Sequence, residues 1–445
     1  MPSPRRTAVR WLFTKEWREL VASRAYWVLL VVIGPLAGMS FISAVTAYGE
    51  LSSANGTGEG VGQAFSPLTG VWAPTFSACE LAAAFLLPFV AIRLVSGDHQ
   101  SGALKIEMQH PLSSWSRLLV KGAVLMIGWL IATAAPATGV LLWASYGGHI
   151  DVPELLSVMA GHILNGGLTI ALAVTAAALT EHPATAAIVT LTVTVGTWLI
   201  NFAAAVNGGW WERAAQFTPT AMVAEFQRGL LRADITLAAL TVIVAGLALA
   251  AVWLRIGVSP LARMRASVLV AAIAALAVAG ASRVRGSWDV SESRSNSFSL
   301  ADEAAMRTIR GGLRVRAHFA PEDPRRSDLE YRGLRKLRRA VPDADIEYLS
   351  ATSTGLFEQA NDQYGEVWYE LDGRKVVSRI TTAEGVRDAV FEVANLQIPP
   401  GSQPADEIFR GYPLSTRPRG AAAVFFGVWP LVIVGIAFAV QWRNS

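Results

Sequence analysis

The polar residues that could do chemistry are concentrated in segment 96–121, a short amphipathic insert between two long apolar runs. It contains the acidic residues Asp98 and Glu107 and the histidines His99 and His110, together with hydroxyl and basic side chains. Histidine and carboxylate side chains can bind metals or transfer protons, but no two histidines of the chain stand at metal-ligand spacing. Such an insert adds nothing to burial in a bilayer. We therefore expect it to contact a partner at the membrane surface.

The sequence lacks the motifs of several enzyme classes. It contains no GxxxxGK[ST] phosphate-binding loop, so we expect no nucleotide hydrolysis by this chain itself. It contains no GxSxG nucleophile motif and no convincing set of catalytic residues within its apolar runs. We therefore predict no catalytic residues, no metal and no cofactor, and any energy must come from a partner.

The composition is that of a polytopic membrane protein. Hydrophobic residues make up 52% of the 445 residues and charged residues only 16%, too little charge to cover a soluble domain of this length. A membrane-spanning helix needs about 20 apolar residues. Eight runs are candidates: 26–48, 75–95, 118–146, 155–180, 184–206, 235–254, 266–281 and 421–440.

The basic residues of the short loops predict the orientation. They lie before the first run and in the connections between runs two and three and between runs six and seven, whereas loops 49–74 and 147–154 contain none. Because Lys and Arg favour the cytoplasmic side, we expect both termini in the cytoplasm and segment 282–420 outside the cell membrane. The first run is longer than a signal-peptide core, and we interpret it as a retained anchor.

Few ionisable residues fall within the runs. Glu80 and Arg93 lie near the two ends of the second run as predicted, so we expect both at the membrane interface, where a charge is inexpensive. Cys79 is the single cysteine and is interpreted as a small apolar filler. Threonines in the fifth run and the group around Asn165 in the fourth suit helix packing. A polar translocation path is the alternative.

The outer segment has the pattern of a small α/β domain. Ser299 predicts a helix cap, and alternating apolar residues over 313–319 predict a strand. A helix and a second strand around 345–349 follow, and Asp372-Gly373 predicts a two-residue hairpin. Thr381 and Glu384 form a capping-box pattern before a last helix. This order suits a thioredoxin-like domain, which without a cysteine pair would bind or support rather than do thiol chemistry.

The helix over 325–339 of this domain is rich in arginine. The simpler interpretation is a solvated face of an amphipathic helix, and the alternative is a docking surface for an anionic headgroup, a polymer or an acidic partner. The basic residues do not all fit on one stripe, which favours the solvated face.

Two motifs resemble those of a known family. Lys15-Glu16-Trp17-Arg18-Glu19-Leu20, before the first run, is similar to the amphipathic segment that precedes helix one in type-2 ABC exporter permeases. Gly97-Asp98-x-x-Ser101-Gly102-x-Leu104, followed by His110-Pro111-Leu112-Ser113 and Lys121-Gly122, resembles the loop between helices two and three of that family. Asp98 stands where Glu is commoner, and His110 where a small or hydroxyl residue often precedes the Pro.

In such permeases, two six-helix units meet and each receives a separate cytoplasmic ABC ATPase. The resemblance implies that ATP-driven closure of the ATPases reaches the helices through these two surface segments. We expect the contact surface to consist of Glu16, Trp17, Glu19, Asp98, Gly102, Leu104, Glu107, Met108 and Pro111. A plain interfacial amphipathic anchor is the alternative, although acidic residues would not be attracted to anionic lipid.

Further motifs narrow the resemblance. Phe217-Thr218-Pro219 with Phe226-Gln227-Arg228-Gly229-Leu230 resembles the outer segment before helix six in the gliding-motility and nitrous-oxide-reductase-maturation branch. Trp288-Asp289-Val290-Ser291 and Ser297-Phe298-Ser299-Leu300 resemble the lead of the gliding-motility auxiliary family, usually a separate and longer chain.

The expected architecture is therefore an α-helical polytopic membrane protein with an extracytoplasmic α/β thioredoxin-like domain. It comprises a six-helix permease domain over 1–257, a hinge and seventh helix over 258–282, an auxiliary domain over 283–420 and an eighth helix and tail over 421–445. The resemblance implies the permease subunit of an ABC transporter, paired as a homodimer or heterodimer and not itself an enzyme. A non-transport scaffold or sensor with a ligand-binding outer domain is the alternative. We expect no nucleic-acid partner.

Overall fold

The computed structural model describes residues 4–54, 66–101, 112–207, 209–255, 257–320, 323–349, 363–400 and 418–444. The described part of the chain is mostly helical, with 73% of its residues in helices. It consists of a helical membrane block and a small sheet-containing domain, which we call the sheet domain, between the seventh and eighth membrane helices.

Eight helices are long and apolar enough to cross a membrane, which confirms the predicted polytopic architecture. They are span 1 (Arg24–Leu51), span 2 (Leu68–Gly97), span 3 (Ser114–Ser145), span 4 (Val152–Leu179), span 5 (Pro183–Asn207), span 6 (Ala233–Trp253), span 7 (Pro260–Ala281) and span 8 (Ala423–Arg443). Seven of these spans lie between helix α1 (Pro4–Ala22) and the sheet domain, and an odd number of crossings would put the two on opposite sides of a membrane.

The helices that build spans 2 and 3 break close to a proline, whereas span 1 continues through Pro35. Span 1 lies in α2 (Arg24–Ala54), and span 2 combines a π-helical turn (Leu68–Trp72) with α3 (Ala73–Phe85) and α4 (Leu87–Ser101). Span 3 combines α5 (Ser114–Ala132) and α6 (Ala134–Ser145). The breaks come two or three residues before Pro88 and Pro136, which cannot donate a backbone hydrogen bond to the preceding turn. The predicted kinks are thus present.

The remaining helices of the membrane block follow in chain order. They are α7 (Val152–Leu179), α8 (Pro183–Asn207), α9 (Trp210–Ala215), α10 (Pro219–Gln227), α11 (Ala233–Trp253) and α12 (Pro260–Ala281). Span 7 begins six residues before its predicted start because Ser259 caps the helix and Pro260 occupies its first turn.

Spans 1 to 4 form the core of the block. In these spans 50–67% of the residues of the most apolar stretch are buried, against 6% in each of spans 7 and 8. The largest fully buried side chains of the core are Trp72, Trp129 and Trp143, and Trp72 and Tyr48 both pack edge-on against Trp143. The peripheral spans therefore present most of their surface to whatever surrounds the block.

Span 8 packs in a notch on span 1. Its helix consists of a π-helical turn (Ala423–Val428) and α17 (Trp429–Asn444). A side chain at Gly34 would collide with Trp429, and one at Gly38 would collide with Phe425. Trp429 Nε1 also donates to the carbonyl of Leu30 at 2.8 Å. The Gly-xxx-Gly spacing lets the two helices approach closely, a signal that the sequence analysis did not use.

The sheet domain has a four-stranded mixed sheet. The strands are β3 (Arg314–Ala317), β4 (Asp345–Tyr348), β5 (Val367–Leu371) and β6 (Arg374–Ser378), in the spatial order β4-β3-β5-β6. β3 is parallel to β4 and antiparallel to β5, and β5 and β6 form a hairpin. Both hairpin residues have positive φ, 49° at Asp372 and 80° at Gly373, as a type I′ turn requires. The predicted hairpin is confirmed.

One face of this sheet is covered by helices. They are α13 (Leu300–Met306), α14 (Pro324–Asp328), a π-helical turn (Leu329–Leu334), α15 (Arg335–Ala340) and α16 (Ala383–Ala394). Ser299 caps α13 as predicted. Thr382, and not Thr381, caps α16 by accepting from the Gly385 N–H at 3.2 Å, so the predicted capping box is wrong by one residue. The sequence has threonine at both positions and does not show which of the two caps the helix.

Candidate functional site

Helix α1 lies against the beginning of span 3 through one face. Leu12, Glu16 and Leu20 are all buried, and their spacing of four residues places them on the same side of the helix. Leu12 packs with Leu112 and Val120. A charged residue thus occupies the middle of an otherwise apolar contact face.

The charge of Glu16 is matched by Lys121. Lys121 Nζ lies 2.6 Å from Oε1 of Glu16, and the side chains are 4% and 0% exposed. Lys121 Nζ also donates to the carbonyl of Leu94 in span 2, at 3.4 Å. A buried charge pair with good geometry is strongly destabilised when one partner is lost. The pair therefore fixes α1 to spans 2 and 3 together.

The other α1 residues predicted for the contact surface are less buried. Glu19 has a side chain 40% exposed and lies 3.1 Å from Lys15 Nζ. Trp17 is partly buried and packs against the core of the block. The carboxylate of Glu16 faces inward, so Glu19 is the acidic residue that α1 offers at its surface.

The second predicted contact segment is described only at its ends. Asp98 belongs to the last turn of α4, and Ser113 caps α5 by accepting from the Ser116 N–H at 3.1 Å. Gly102, Leu104, Glu107, Met108 and Pro111 lie outside the described residues. The structure therefore places the Leu112 end of this segment beside α1, since Leu112 packs on Leu12.

A second polar site lies inside the membrane block, at the end of α10. Gln227 Nε2 donates to Glu80 Oε1 at 2.9 Å and lies 3.4 Å from Nε2 of His162. The imidazole of His162 is completely buried and stacks on Phe76, with ring centroids 5.7 Å apart. The site joins span 2, span 4 and α10.

Glu80 lies deeper in its helix than the sequence predicted. Span 2 begins at Leu68 rather than at residue 75, so Glu80 lies twelve residues from one end and seventeen from the other. At 1.5 Å per residue this is about 18 Å from the nearer end. Span 2 has 30 residues, more than the roughly 20 that cross a hydrocarbon core, so the interface placement of Glu80 stays a prediction. Gln227 gives the carboxylate a polar partner.

Helix α10 is held by polar side chains at both ends. Thr218 caps its first turn, and its hydroxyl also lies 3.0 Å from Asn201 Nδ2 of span 5. At the other end, Ser157 of span 4 donates to the carbonyl of Phe226 at 2.9 Å, and the ring of Phe226 is buried. These bonds fix α10 against spans 4 and 5.

The sheet domain is attached directly behind α10. Strand β1 (Leu230–Arg232) pairs antiparallel with β2 (Ser287–Asp289), with Leu230 opposite Asp289. Gly229 connects α10 to β1 with a φ of 75°, and a Cβ there would lie 3.1 Å from Ser291. Two features favour glycine at position 229, the positive φ angle and the close approach of Ser291.

Asp289 organises the chain after β2. Its carboxylate accepts hydrogen bonds from the N–H and hydroxyl of Ser291, from the N–H and side-chain amide of Asn296, and from the hydroxyl of Ser297, at 2.5–3.2 Å. Asn296 also donates to the carbonyl of Arg228 at 2.7 Å, which joins this loop to α10. The Trp288–Ser291 motif thus builds the junction.

The arginine-rich helix contributes to the same junction. Arg335 Nη1 lies 2.9 Å from Oε1 of Glu225 in α10, and the ring of Tyr331 lies between Arg335 and Arg228, 4.3 and 4.4 Å from their guanidinium carbons. Arg339 donates to the carbonyl of Asn296 at 2.5 Å. Arg335 and Arg339 therefore make contacts within the chain itself. Neither interpretation of the arginine-rich helix, a solvated face or a docking surface for a partner, included such contacts.

A compact ion pair stabilises the start of α14. Arg325 Nη2 lies 2.8 Å from Asp323 Oδ2, and the hydroxyl of Tyr364 donates to the same oxygen at 2.6 Å. The hydrogen bond from Arg325, helped by those from Tyr364 and from the Arg325 N–H, lowers the pKa of the Asp323 carboxyl to about 2. This carboxylate is therefore charged at every physiological pH.

No group of three or more metal-binding side chains occurs within the ranges that the structure describes. Cys79 is completely buried, next to Glu80 in α3. Comparison with protein-family models and with curated proteins gives no match for this chain. The functional argument therefore depends on the geometry above.

Proposed function

We propose that this chain is the membrane-spanning permease subunit of an ABC transporter, driven by a separate cytoplasmic ATPase and performing export or extracytoplasmic mechanical work. The observation that carries the proposal is the buried pair of Glu16 and Lys121. It joins α1, the helix that we place on the membrane surface, to spans 2 and 3. A displacement of α1 is therefore passed directly to these two spans.

The energy source follows from the sequence. The chain has no phosphate-binding loop, so ATP hydrolysis belongs to another chain. Trp17 and Glu19, with the segment from Asp98 to Pro111, form the surface offered to that ATPase. Glu16 acts as a positioning residue, because its carboxylate is occupied inside. Two such permease units, identical or different, complete the transporter.

The proposed orientation has both termini in the cytoplasm and the sheet domain outside the cell membrane. The basic loops on the α1 side support it. The order β4-β3-β5-β6, with one parallel pair and an antiparallel hairpin, supports the thioredoxin-like interpretation of the sheet domain. The direct bonds from α10 to the sheet domain suit an auxiliary domain that works with the permease.

The same bonds keep a second function under consideration, a scaffold or sensor whose outer domain binds a ligand. A sensor would need a connection from the sheet domain to the membrane block, and the β1–β2 sheet provides one. The two functions differ in their partner. A permease requires an associated ATPase, whereas a sensor of this kind does not.

The proposal is tested by purifying the tagged full-length chain from its native membranes and measuring the ATPase that accompanies it. Glu19→Lys is expected to reduce both the amount of associated ATPase and the ATP hydrolysis rate. Glu50→Lys, which reverses an exposed charge at the opposite end of span 1, is the matched control. Absence of any ATPase from the wild-type complex, or wild-type association and turnover in Glu19→Lys, would contradict the proposal.

A further inference from the structure

The end of helix α10 and its cap residue carry contacts to two separate parts of the molecule within four consecutive residues, 225–228. On the membrane side, Ser157 donates to the carbonyl of Phe226, and Gln227 donates to Glu80. On the sheet-domain side, Glu225 binds Arg335, and the carbonyl of Arg228 accepts from Asn296. The end of α10 is therefore bonded to the membrane block on one side and to the sheet domain on the other.

The connection leaves little room for independent motion. Directly after α10, the Val290 N–H donates to the carbonyl of Gly229 at 2.8 Å, and the β1–β2 ladder begins. A Cβ on Gly229 would lie only 3.1 Å from the backbone nitrogen of Ser291, a tighter contact than most side chains make. A displacement of the sheet domain must therefore displace the last turn of α10.

The contact at the other end lies within the membrane block. Glu80 is twelve residues from the nearer end of span 2 and partly buried, so losing its hydrogen bond carries a cost. Its partner Gln227 is the last residue of α10. The position of the sheet domain therefore determines whether the Glu80 carboxylate keeps its hydrogen bond.

We infer that α10 transmits movement between the sheet domain and span 2 of the membrane block. Arg335 and Glu225 form its outer contact, and Gln227 and Glu80 form its inner contact. Arg335 is thus a positioning residue that acts on span 2 through α10. The inference goes beyond the proposed function and does not depend on it, since it holds for a permease and for a sensor alike.

Cys79 provides a native reporter for this transmission. It is the only cysteine of the sequence, it is completely buried, and it precedes Glu80 in α3. The experiment measures the rate at which N-ethylmaleimide labels Cys79 in the full-length chain reconstituted in lipid bilayers. Arg335→Ala is expected to raise this rate roughly twofold to fivefold, because solvent screens a partly exposed ion pair.

Two further variants make the result specific. Glu225→Gln removes the same ion pair from the membrane side and is expected to raise labelling as much as Arg335→Ala, with no further increase in the double variant. Arg338→Ala is the matched control on α15, because its partner Glu330, 2.6 Å away, belongs to the sheet domain itself. This control is expected to label at the wild-type rate.

Hydrogen–deuterium exchange of α10 in the same full-length variants gives an independent readout, and Arg335→Ala and Glu225→Gln are both expected to accelerate it. If Arg335→Ala does not fold, Glu225→Gln alone decides, since it changes no atom of the sheet domain. Wild-type labelling and wild-type exchange in the folded variants would overturn the inference. An equal increase in Arg338→Ala would also overturn it, because the effect would then be general loosening of the domain.

Discussion

Lys121 Nζ and Glu16 Oε1 are 2.6 Å apart, although 105 positions separate the two residues in the chain. The pair lies where α1, span 2 and span 3 meet, and both side chains are almost completely enclosed. It therefore joins three elements that the sequence presents separately.

Lys121 and Glu16 should stabilise the fold only when both residues are present. Lys121→Met and Glu16→Gln should each lower the free energy of unfolding by about 3 kcal/mol or more, because each alters one partner of a buried ion pair. The double variant should lose less than the sum of the two. Thermal unfolding in detergent measures the effect. Glu19→Gln is the control on the same helix, since an exposed pair contributes less than about 1 kcal/mol, and additive losses in the double variant would contradict the prediction.

Asp289 should be the residue on which the junction of the sheet domain most depends. Asp289→Ala leaves the N–H groups of Ser291 and Asn296 without their acceptor, so we expect a loss of about 2–3 kcal/mol and faster proteolysis between 285 and 300. Limited proteolysis of the full-length chain in bilayers measures this. Asp345→Ala, which removes an exposed carboxylate 3.7 Å from Arg314, should leave the cleavage rate unchanged. Equal cleavage in the two variants would count against the assignment.

The pair of Asp323 and Arg325 should stabilise the sheet domain in a pH-dependent way. The folded-state pKa of Asp323, about 2, lies below the unfolded value of about 3.9, so the contribution is complete above about pH 4 and disappears as the pH falls towards 2. Because Arg325 is half exposed, solvent screening limits the contribution to about 1–2 kcal/mol.

The measurement is the difference in thermal midpoint between the wild-type chain and Asp323→Asn at a series of pH values. The difference should be largest at pH 5–7 and shrink towards pH 2. Asp328→Asn, an exposed carboxylate in the same helix, serves as the control and should show a small difference at every pH. A difference for Asp323→Asn that does not change with pH would show that the carboxylate charge is not the cause.

The notch on span 1 should tolerate no side chain. Gly38→Leu would collide with Phe425, and we expect it to displace span 8 and destabilise the chain by roughly 1–3 kcal/mol. Gly196→Leu in span 5 is matched in substitution, but an added Cβ there meets nothing within 4 Å. Thermal unfolding in detergent compares the two. Similar losses for both variants would show that leucine, rather than the notch, is responsible.

The elements that could be predicted from the sequence are those with a local physical cause. The eight spans follow from apolar length, and the turn at Asp372-Gly373 follows from the two positive φ angles that these residues tolerate. The helix breaks before Pro88 and Pro136 follow from the missing donor of proline. Each depends only on residues that are close together in the chain.

The parts of the candidate site that could not be predicted depend on partners far away in the chain. The burial of Glu16 requires Lys121, and Glu80 meets Gln227, which is 147 positions away in the chain. The sequence does not distinguish Arg335 from the other arginines of its helix, because its partner Glu225 is brought beside it only by the fold. The notch at Gly34 and Gly38 did have a sequence signal, the Gly-xxx-Gly spacing, and could have been found.

The packing of span 8 on span 1 also has a consequence for biosynthesis. The ribosome delivers the glycine notch early, but the residues that fill it, Phe425 and Trp429, emerge only after the whole sheet domain has been translated. Until then, the groove on span 1 lacks the side chains that fill it. Closure of this helix pair is therefore a late step of biosynthesis, and slow synthesis of residues 282–420 would delay it.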